Sequence, residues 1–255
     1  MPRPVRVGPH HANRAELWLP AQHQTPVPTV VVIHGGYWRA MYTKRLMRPM
    51  ADAITELGWA AWNIEYRRTG PLGGGGGWPG TFDDVARAID HLAEVAEVDT
   101  SRVVTCGHSA GGHLALWAAS RPGLPAGTPG ADPRVRVRGA VSLAGVVDLE
   151  RAAALSLGNG AVETLLDGPP ERRAERYALA SPAARLPLGV PQVLLHGLAD
   201  DTVPPELSAS YQRRAAALGD DVGYVPLEGV DHMAIIDPAA ASWPATVDAL
   251  RALLG

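Results

Sequence analysis

An α/β fold, built on a mostly parallel, doubly wound sheet with helices on both faces, is what this sequence predicts. Three observations carry that expectation. Val30-Val31-Val32-Ile33 is an unbroken β-branched run, the mark of a strand buried on both faces. From residue 30 to the end, strand-like runs alternate with helix-like ones, and such alternation calls for parallel strands joined by crossover helices. Finally, the β-rich run Arg102-Val103-Val104-Thr105-Cys106 passes through Gly107-His108-Ser109-Ala110-Gly111-Gly112 directly into His113-Leu114-Ala115-Leu116-Trp117-Ala118-Ala119, which has good helix formers and no breaker.

Taken in order, residues 1–15 are polar and proline-bearing and read as a loose arm, and residues 16–19 read as a short strand. Residues 26–29 form a turn before the strand at 30–33. A helix follows to Leu57, with apolar residues at 46, 50, 54 and 57, Pro49 in its first turn and Gly58 as its stop. Residues 59–64 read as the next buried strand. The loop after it holds five consecutive glycines, residues 73–77, most simply a mobile loop that could flank a pocket. Thr81 and Asp84 resemble a capping box, and Phe82, Val85, Ile89, Leu92 and Ala96 keep helical spacing. Beyond residue 120 come a turn-rich connection (122–133), a strand (139–144), a strand (192–195), a helix (205–218), a strand (222–225) and a final amphipathic helix (243–254). Residues 150–188 interrupt the alternation, broken by Gly158, Gly160, Gly168, Pro169 and Pro170. They read as a cap-like insertion in a single domain spanning 1–255.

Bulk properties narrow the function. At 255 residues and 46% hydrophobic content the chain can bury a substantial core. Its 23 basic and 26 acidic residues give a net charge of −3. No long run of one sign appears, which argues against a nucleic-acid or membrane surface. One cysteine, Cys106, leaves no disulfide framework. The first 20 residues carry three arginines and no apolar stretch, so a cytoplasmic protein without a secretory signal is expected. No apolar run approaches membrane-spanning length.

The chemistry concentrates around Ser109. A strand, G-x-S-x-G and a helix form the context of a serine on a tight turn, where Gly107 and Gly111 let strand and helix approach. The N–H of Ala110, at the helix start, is free to donate to an anion. A serine nucleophile needs a base and a group that orients the base. In strand–turn–helix sites of this type the acid and the histidine follow the serine, on loops after later strands. The strand at 192–195 leads into His196-Gly197-Leu198-Ala199-Asp200-Asp201-Thr202-Val203-Pro204, and the next strand leads into Gly229-Val230-Asp231-His232. Asp200 and Asp201 compete for the acid role. The spacing G-x-x-D-x-x-V-P favours Asp200, and His232 supplies the base. His34, His108 and His196 recur at strand ends as architectural residues, whereas His10, His11, His23 and His91 read as surface histidines. A metal site through His108 and His113 lacks ligand spacing. At the end of the first strong strand, His34-Gly35-Gly36 can aim backbone N–H groups at a developing oxyanion. Trp38, directly after it, is either a wall of the acyl site or a core tryptophan.

These motifs resemble the α/β-hydrolase superfamily, in the branch of kynurenine formamidases, hormone-sensitive-lipase-like esterases and feruloyl or acetylxylan esterases. His34-Gly35-Gly36-Tyr37-Trp38 is similar to the H-G-G-x-W signature of kynurenine formamidases, and Gly107-His108-Ser109-Ala110-Gly111 to the elbow of the whole branch. The resemblance implies an α/β-hydrolase fold and a serine hydrolase acting on a small carboxylic ester or an arylformamide. It assigns Ser109, Asp200 and His232 to catalysis, Gly35, Gly36 and Ala110 to the oxyanion hole, and Trp38 to substrate binding, with no metal and no cofactor. The expected partner is the small-molecule substrate alone, and oligomeric state stays open. Two alternatives remain at this point. One is a prolyl-oligopeptidase-type peptidase, which usually carries a large extra domain. The other is a non-catalytic binding protein on the same fold, which the loss of a triad residue would favour.

Overall fold

A computed structural model describes residues 1–23 and 26–255. Eight strands form one sheet: β1 (Arg3–Arg6), β2 (Arg14–Trp18), β3 (Val27–Ile33), β4 (Ala60–Ile64), β5 (Val98–His108), β6 (Gly139–Leu143), β7 (Gln192–Gly197) and β8 (Val222–Leu227). Their order across the sheet is β1-β2-β4-β3-β5-β6-β7-β8, parallel from β4 onward. The α-helices are α1 (Arg48–Glu56), α2 (Gly80–Asp90), α3 (Ala110–Ser120), α4 (Leu149–Ala154), α5 (Ala161–Leu166), α6 (Pro170–Ala180), α7 (Glu206–Ala217) and α8 (Trp243–Leu254). This is the α/β-hydrolase fold that the motifs imply. Among the described residues no helix is long and apolar enough to cross a membrane.

The β-branched run explains both layers. Successive strand residues point to opposite faces. Val30 and Val32 therefore join Met50 and Ile54 of α1 and Leu250 and Leu253 of α8 in one apolar cluster. Val31 and Ile33 join Phe82, Val85 and Ile89 of α2 and Leu114 and Trp117 of α3 in the other. Every residue of α3 is buried, so this helix is covered all round rather than on one stripe. Cys106 of β5 is buried too, and burial pushes its thiol up to about 12, where it stays protonated.

Three local expectations are corrected. The supposed loose arm is strand β1, which pairs antiparallel with β2, Arg3 opposite Leu17 and Arg6 opposite Arg14. An edge strand needs only one apolar face, and a polar composition hides it. Thr81 and Asp84 do not cap α2, which has no side-chain cap. Instead the Thr81 hydroxyl donates to the Arg67 carbonyl (2.6 Å) and accepts from Gly77 N (2.9 Å), while the buried Asp84 takes two bonds from the Arg67 guanidinium, each 2.8 Å. The five-glycine stretch is wound against the backbone of residues 67–69. Arg68 N donates to the Gly73 carbonyl at 2.6 Å, Gly76 N donates to the Arg68 carbonyl at 2.9 Å, and a Cβ on either glycine would overlap that backbone. At these two positions close backbone approach demands glycine.

Strand order creates the crevice. The chain leaves β3 through α1 to β4 on one side, then returns through α2 to β5 on the other side of β3. At such a reversal the loops beyond the carboxyl ends of neighbouring strands diverge and leave room for a ligand. Ile33 lies opposite Gly107, so the His34 loop and the Ser109 turn emerge side by side.

Candidate active site

Ser109 sits where β5 turns into α3, with φ +56° and ψ −118°. A non-glycine residue holds a positive φ only when its surroundings enforce it. Here Ser109 N donates to the Leu143 carbonyl (2.8 Å), and the Ser109 carbonyl accepts from His113 N (3.1 Å). The flanking glycines are sterically required. A Cβ on Gly107 would strike the Gly111 carbonyl, and one on Gly111 would strike the carbonyls of Ile33 and His34. Among the described residues the Ser109 hydroxyl finds no hydrogen-bond partner; it is not sealed from solvent and opens onto a pocket that His232 also lines.

Asp200 and His232 converge from the loops after β7 and β8. His232 Nδ1 donates to Asp200 Oδ2 at 2.7 Å, and Asp200 Oδ1 accepts from the N–H groups of Thr202 (2.9 Å) and Val203 (2.8 Å). His196 Nε2 adds a further contact to Oδ2 at 3.2 Å. Burial pushes the Asp200 carboxyl up, but the bonds from His196, His232 and the Val203 amide outweigh it and hold the group well below the usual carboxylate range. Asp201 is exposed, and among the described residues its carboxylate accepts only from the hydroxyl of its neighbour Thr202, at 3.1 Å. Among the described residues His232 Nε2 finds no hydrogen-bond partner, and the residue lines the pocket.

His34, His108 and His196 are buried to within 2% of full cover. His108 Nε2 donates to the His232 carbonyl at 2.8 Å, which ties the elbow to the histidine loop. Burial, with His232 alongside, pushes His108 down to about 3, so it stays neutral. His113 belongs to a different network: its Nε2 donates to the Ala180 carbonyl (2.9 Å) and its Nδ1 accepts from Trp38. The two histidines do not face a common point.

The first glycine loop presses on the elbow. A Cβ on Gly35 would lie 2.8 Å from the His108 carbonyl and 3.0 Å from Ser109 Cβ. Gly36 has φ +107°, and a Cβ there would lie 2.6 Å from the Tyr42 ring. The N–H groups of Gly35, Gly36 and Ala110 find no acceptor among the described residues. Free donors beside a serine are the arrangement that an oxyanion requires.

Trp38 is not at the site. It is fully buried, its Nε1 donates to His113 Nδ1 at 3.2 Å, and its ring meets His113 edge-on. Tyr37 and Trp38 both have left-handed φ, +50° and +55°. That double turn sends Trp38 into the core and leaves Tyr37 on the pocket, its hydroxyl donating to the Thr202 carbonyl at 2.9 Å. The pocket measures about 190 Å³, and its apolar wall consists of Tyr42, Leu46 and Met233 beside Tyr37. None of these four was singled out from the sequence. The one available signal was the aromatic residue immediately after His34-Gly35-Gly36. No pocket-lining residue comes from 150–188. That segment forms α4–α6, bonds to His113 and Trp117 of α3, and packs Gly158 against the Tyr37 ring. It supports the wall and does not roof this pocket. The five glycines do not line it either.

Comparison with known proteins fits this geometry. A probable carboxylic ester hydrolase, LipM, of Mycobacterium tuberculosis is 30% identical over 211 residues, 78% of this chain and 48% of that protein. A kynurenine formamidase of Danio rerio is 22% identical over 91% of this chain and 75% of its own length. The probable isoprenylcysteine α-carbonyl methylesterase ICMEL1 of Arabidopsis thaliana is 26% identical over 90% of this chain and 50% of its own. The chain thus spans about half the length of two of these relatives. Among solved structures, a carbohydrate esterase from gut microbiota superposes with a TM-score of 0.83 at 20% identity, covering 98% of this chain and 94% of that one. A Thermogutta terrifontis esterase with bound propionate superposes at 0.76 and 23% identity, covering 98% and 91%. Both support the fold. The family model for BD-FAE matches residues 15–214, from the second strand through most of α7, and the chain belongs to the BD-FAE family.

Proposed function

We propose that the protein is a serine hydrolase that cleaves small carboxylic esters or arylformamides through an acyl-enzyme. The 2.7 Å bond from His232 Nδ1 to Asp200, beside a serine held on a left-handed turn, carries this reading. With Nδ1–H committed to the carboxylate, the lone pair of His232 lies on Nε2, the nitrogen open toward the pocket. Ser109 Oγ attacks the carbonyl carbon as Nε2 takes its proton. The negative oxygen is met by the N–H groups of Gly35, Gly36 and Ala110. Collapse of the intermediate expels the alcohol or amine, which leaves with the proton from His232. Water then repeats the sequence on the acyl-enzyme. Asp200 stays ionised throughout and stabilises the imidazolium that forms.

Pocket size sets the substrate class. About 190 Å³ is below the ~300–1,000 Å³ of a site that encloses a drug-sized ligand. A short acyl group fits against Tyr42, Leu46 and Met233, and the leaving group extends outward. The formamidase and ester hydrolase relatives support the two candidate bond types. A fluorophosphonate probe should label Ser109, and Ser109→Ala should abolish both labelling and turnover, a loss of ~10⁴–10⁶ in kcat. p-Nitrophenyl acetate and butyrate should far outpace the palmitate, and N-formylkynurenine assayed beside them decides between ester and formamide. Labelling that survives Ser109→Ala, or a preference for long-chain lipids or peptides, would overturn the reading.

A further inference from the structure

His34 differs from the other buried histidines in what its ring nitrogens meet. His113 accepts at Nδ1 from Trp38 Nε1 and donates at Nε2 to a carbonyl. His196 accepts at Nδ1 from the Ser208 hydroxyl (2.7 Å) and donates at Nε2 to the Val203 carbonyl (2.9 Å). His108 donates at Nε2, and its Nδ1 has no partner among the described residues. One ring proton satisfies each of these three. At His34, Nδ1 lies 2.9 Å from the Gly35 carbonyl and Nε2 lies 2.8 Å from Glu65 Oε1, and both partners are acceptors. Tyr66 offers no way out, because its hydroxyl donates to the His34 carbonyl at 2.9 Å and is 3.4 Å from Nδ1. A neutral imidazole has one N–H and would set its lone pair against one of the two oxygens.

We infer that Glu65 holds His34 as an imidazolium, and that its Nδ1–H, donated to the Gly35 carbonyl, polarises the peptide whose other end is the Gly36 N–H. Gly35 C=O and Gly36 N–H belong to one peptide unit. A charge-assisted bond to the oxygen makes the N–H a stronger donor, and hydrogen bonds in a chain reinforce one another. The relay runs from the Glu65 carboxylate through the His34 ring and the 35–36 peptide to the oxyanion, so it rests on the oxyanion assignment made above.

The surroundings suit an ion pair. Glu65 is 7% exposed, and its carboxylate also takes the Lys44 amide (3.1 Å), the Tyr66 amide (3.3 Å) and an Arg68 Nε contact (3.5 Å). Burial pushes its carboxyl up, yet the bond and charge of His34, with Arg68 and the Lys44 amide, hold it below its ordinary value. The charged groups against His34 are therefore Glu65 and, behind it, Arg68. The Tyr66 ring stacks on His34 with centroids 4.3 Å apart and planes 7° apart, a face that attracts a cation. His34 and Glu65 act through the Gly35 peptide and are positioning residues.

Nitrogen-15 correlation spectra of the histidine rings in the intact protein at neutral pH test this directly, with His34→Gln assigning the signal. His34 should carry protons on both nitrogens, and His108, His113 and His196 one each. Glu65→Gln keeps an acceptor but removes the charge. It should return His34 to a single ring proton and lower kcat on p-nitrophenyl acetate roughly tenfold with KM held, less than the ~10²–10³ expected when a whole oxyanion donor is lost. Glu65→Asp should recover part of the rate. A bare nitrogen on His34 in the wild-type protein, or wild-type kcat in a folded Glu65→Gln variant, overturns the inference. If no ester is turned over at all, the earlier functional reading fails, while the ring spectrum still decides this one.

Discussion

At the scale of single residues, adjacent side chains have opposite fates. Asp200 is 8% exposed and bonded to the His232 ring, whereas Asp201, one residue on, is exposed. Asp200→Asn should therefore lower kcat by ~10⁴, as loss of the orienting carboxylate does in such triads. Asp201→Asn should stay within a few-fold, and steady-state kinetics on p-nitrophenyl acetate separate the two. Tyr37 and Trp38 repeat the pattern. Trp38→Phe leaves His113 Nδ1 buried without its donor, so it should cost ~1–3 kcal/mol in urea unfolding with KM unchanged. Tyr42→Ala should leave stability nearly alone and raise hexanoate over acetate hydrolysis, because it removes the pocket's outer wall. A shifted KM in Trp38→Phe would return the tryptophan to the substrate.

At the scale of elements, the site depends on how closely β3, β5 and α3 approach. Gly111 brings the first turn of α3 against the carbonyls at the end of β3, and no side chain fits between them. Gly111→Ala should overpack this contact, costing ~1–3 kcal/mol or more, and should impair turnover beyond the loss of fold, because the same shift displaces Ala110 N and the His34 loop. Gly223→Ala in β8 is the matched control. Its Cβ would meet nothing nearer than 3.9 Å, so its thermal midpoint should be unchanged or slightly raised. Equal effects from the two would mean that the elbow relaxes freely.

At the scale of the whole molecule, buried neutral histidines make the fold acid-sensitive. Burial pushes His113 down from 6.5 to about 4 and His108 to about 3. Each is neutral when folded and takes up a proton when unfolded, so below pH 6.5 the unfolded chain binds more protons. Their contribution is complete above the unfolded value and is lost as pH falls from about 6.5 toward 4 and 3. At pH 5 each has surrendered on the order of 2 kcal/mol. Asp200 adds to the same slope further down: its depressed carboxyl contributes stability above ~3.9 and loses it as pH falls below. Urea midpoints should therefore drop between pH 7 and pH 5, and His113→Gln should flatten the drop. An unchanged slope in that variant would show that His113 titrates normally.

How much could be read in the sequence follows from the range of the forces involved. The sequence alone determined the alternation of strands and helices, the doubly buried character of residues 30–33, the glycine-flanked serine between a strand and a helix, and the order serine, aspartate, histidine on later loops. Each is written in residues close together in the chain: a β-branched run, a missing Cβ, a helical period of apolar residues. Only the tertiary structure decided that polar residues 3–6 close the sheet edge, since one apolar face and a partner strand suffice there. It alone decided that Thr81 and Asp84 hold Arg67 rather than cap a helix, and that Gly73 and Gly76 are needed for close backbone approach. It alone separated Tyr37 from Trp38, and it put the carboxylate of Asp200, the aspartate that the spacing favours, on the His232 ring. Neighbours in sequence share composition and propensity, and what divides them is which distant atoms lie on each side of the backbone. Strand order, with β4 and β5 on opposite sides of β3, sets those distances, and no local pattern encodes it.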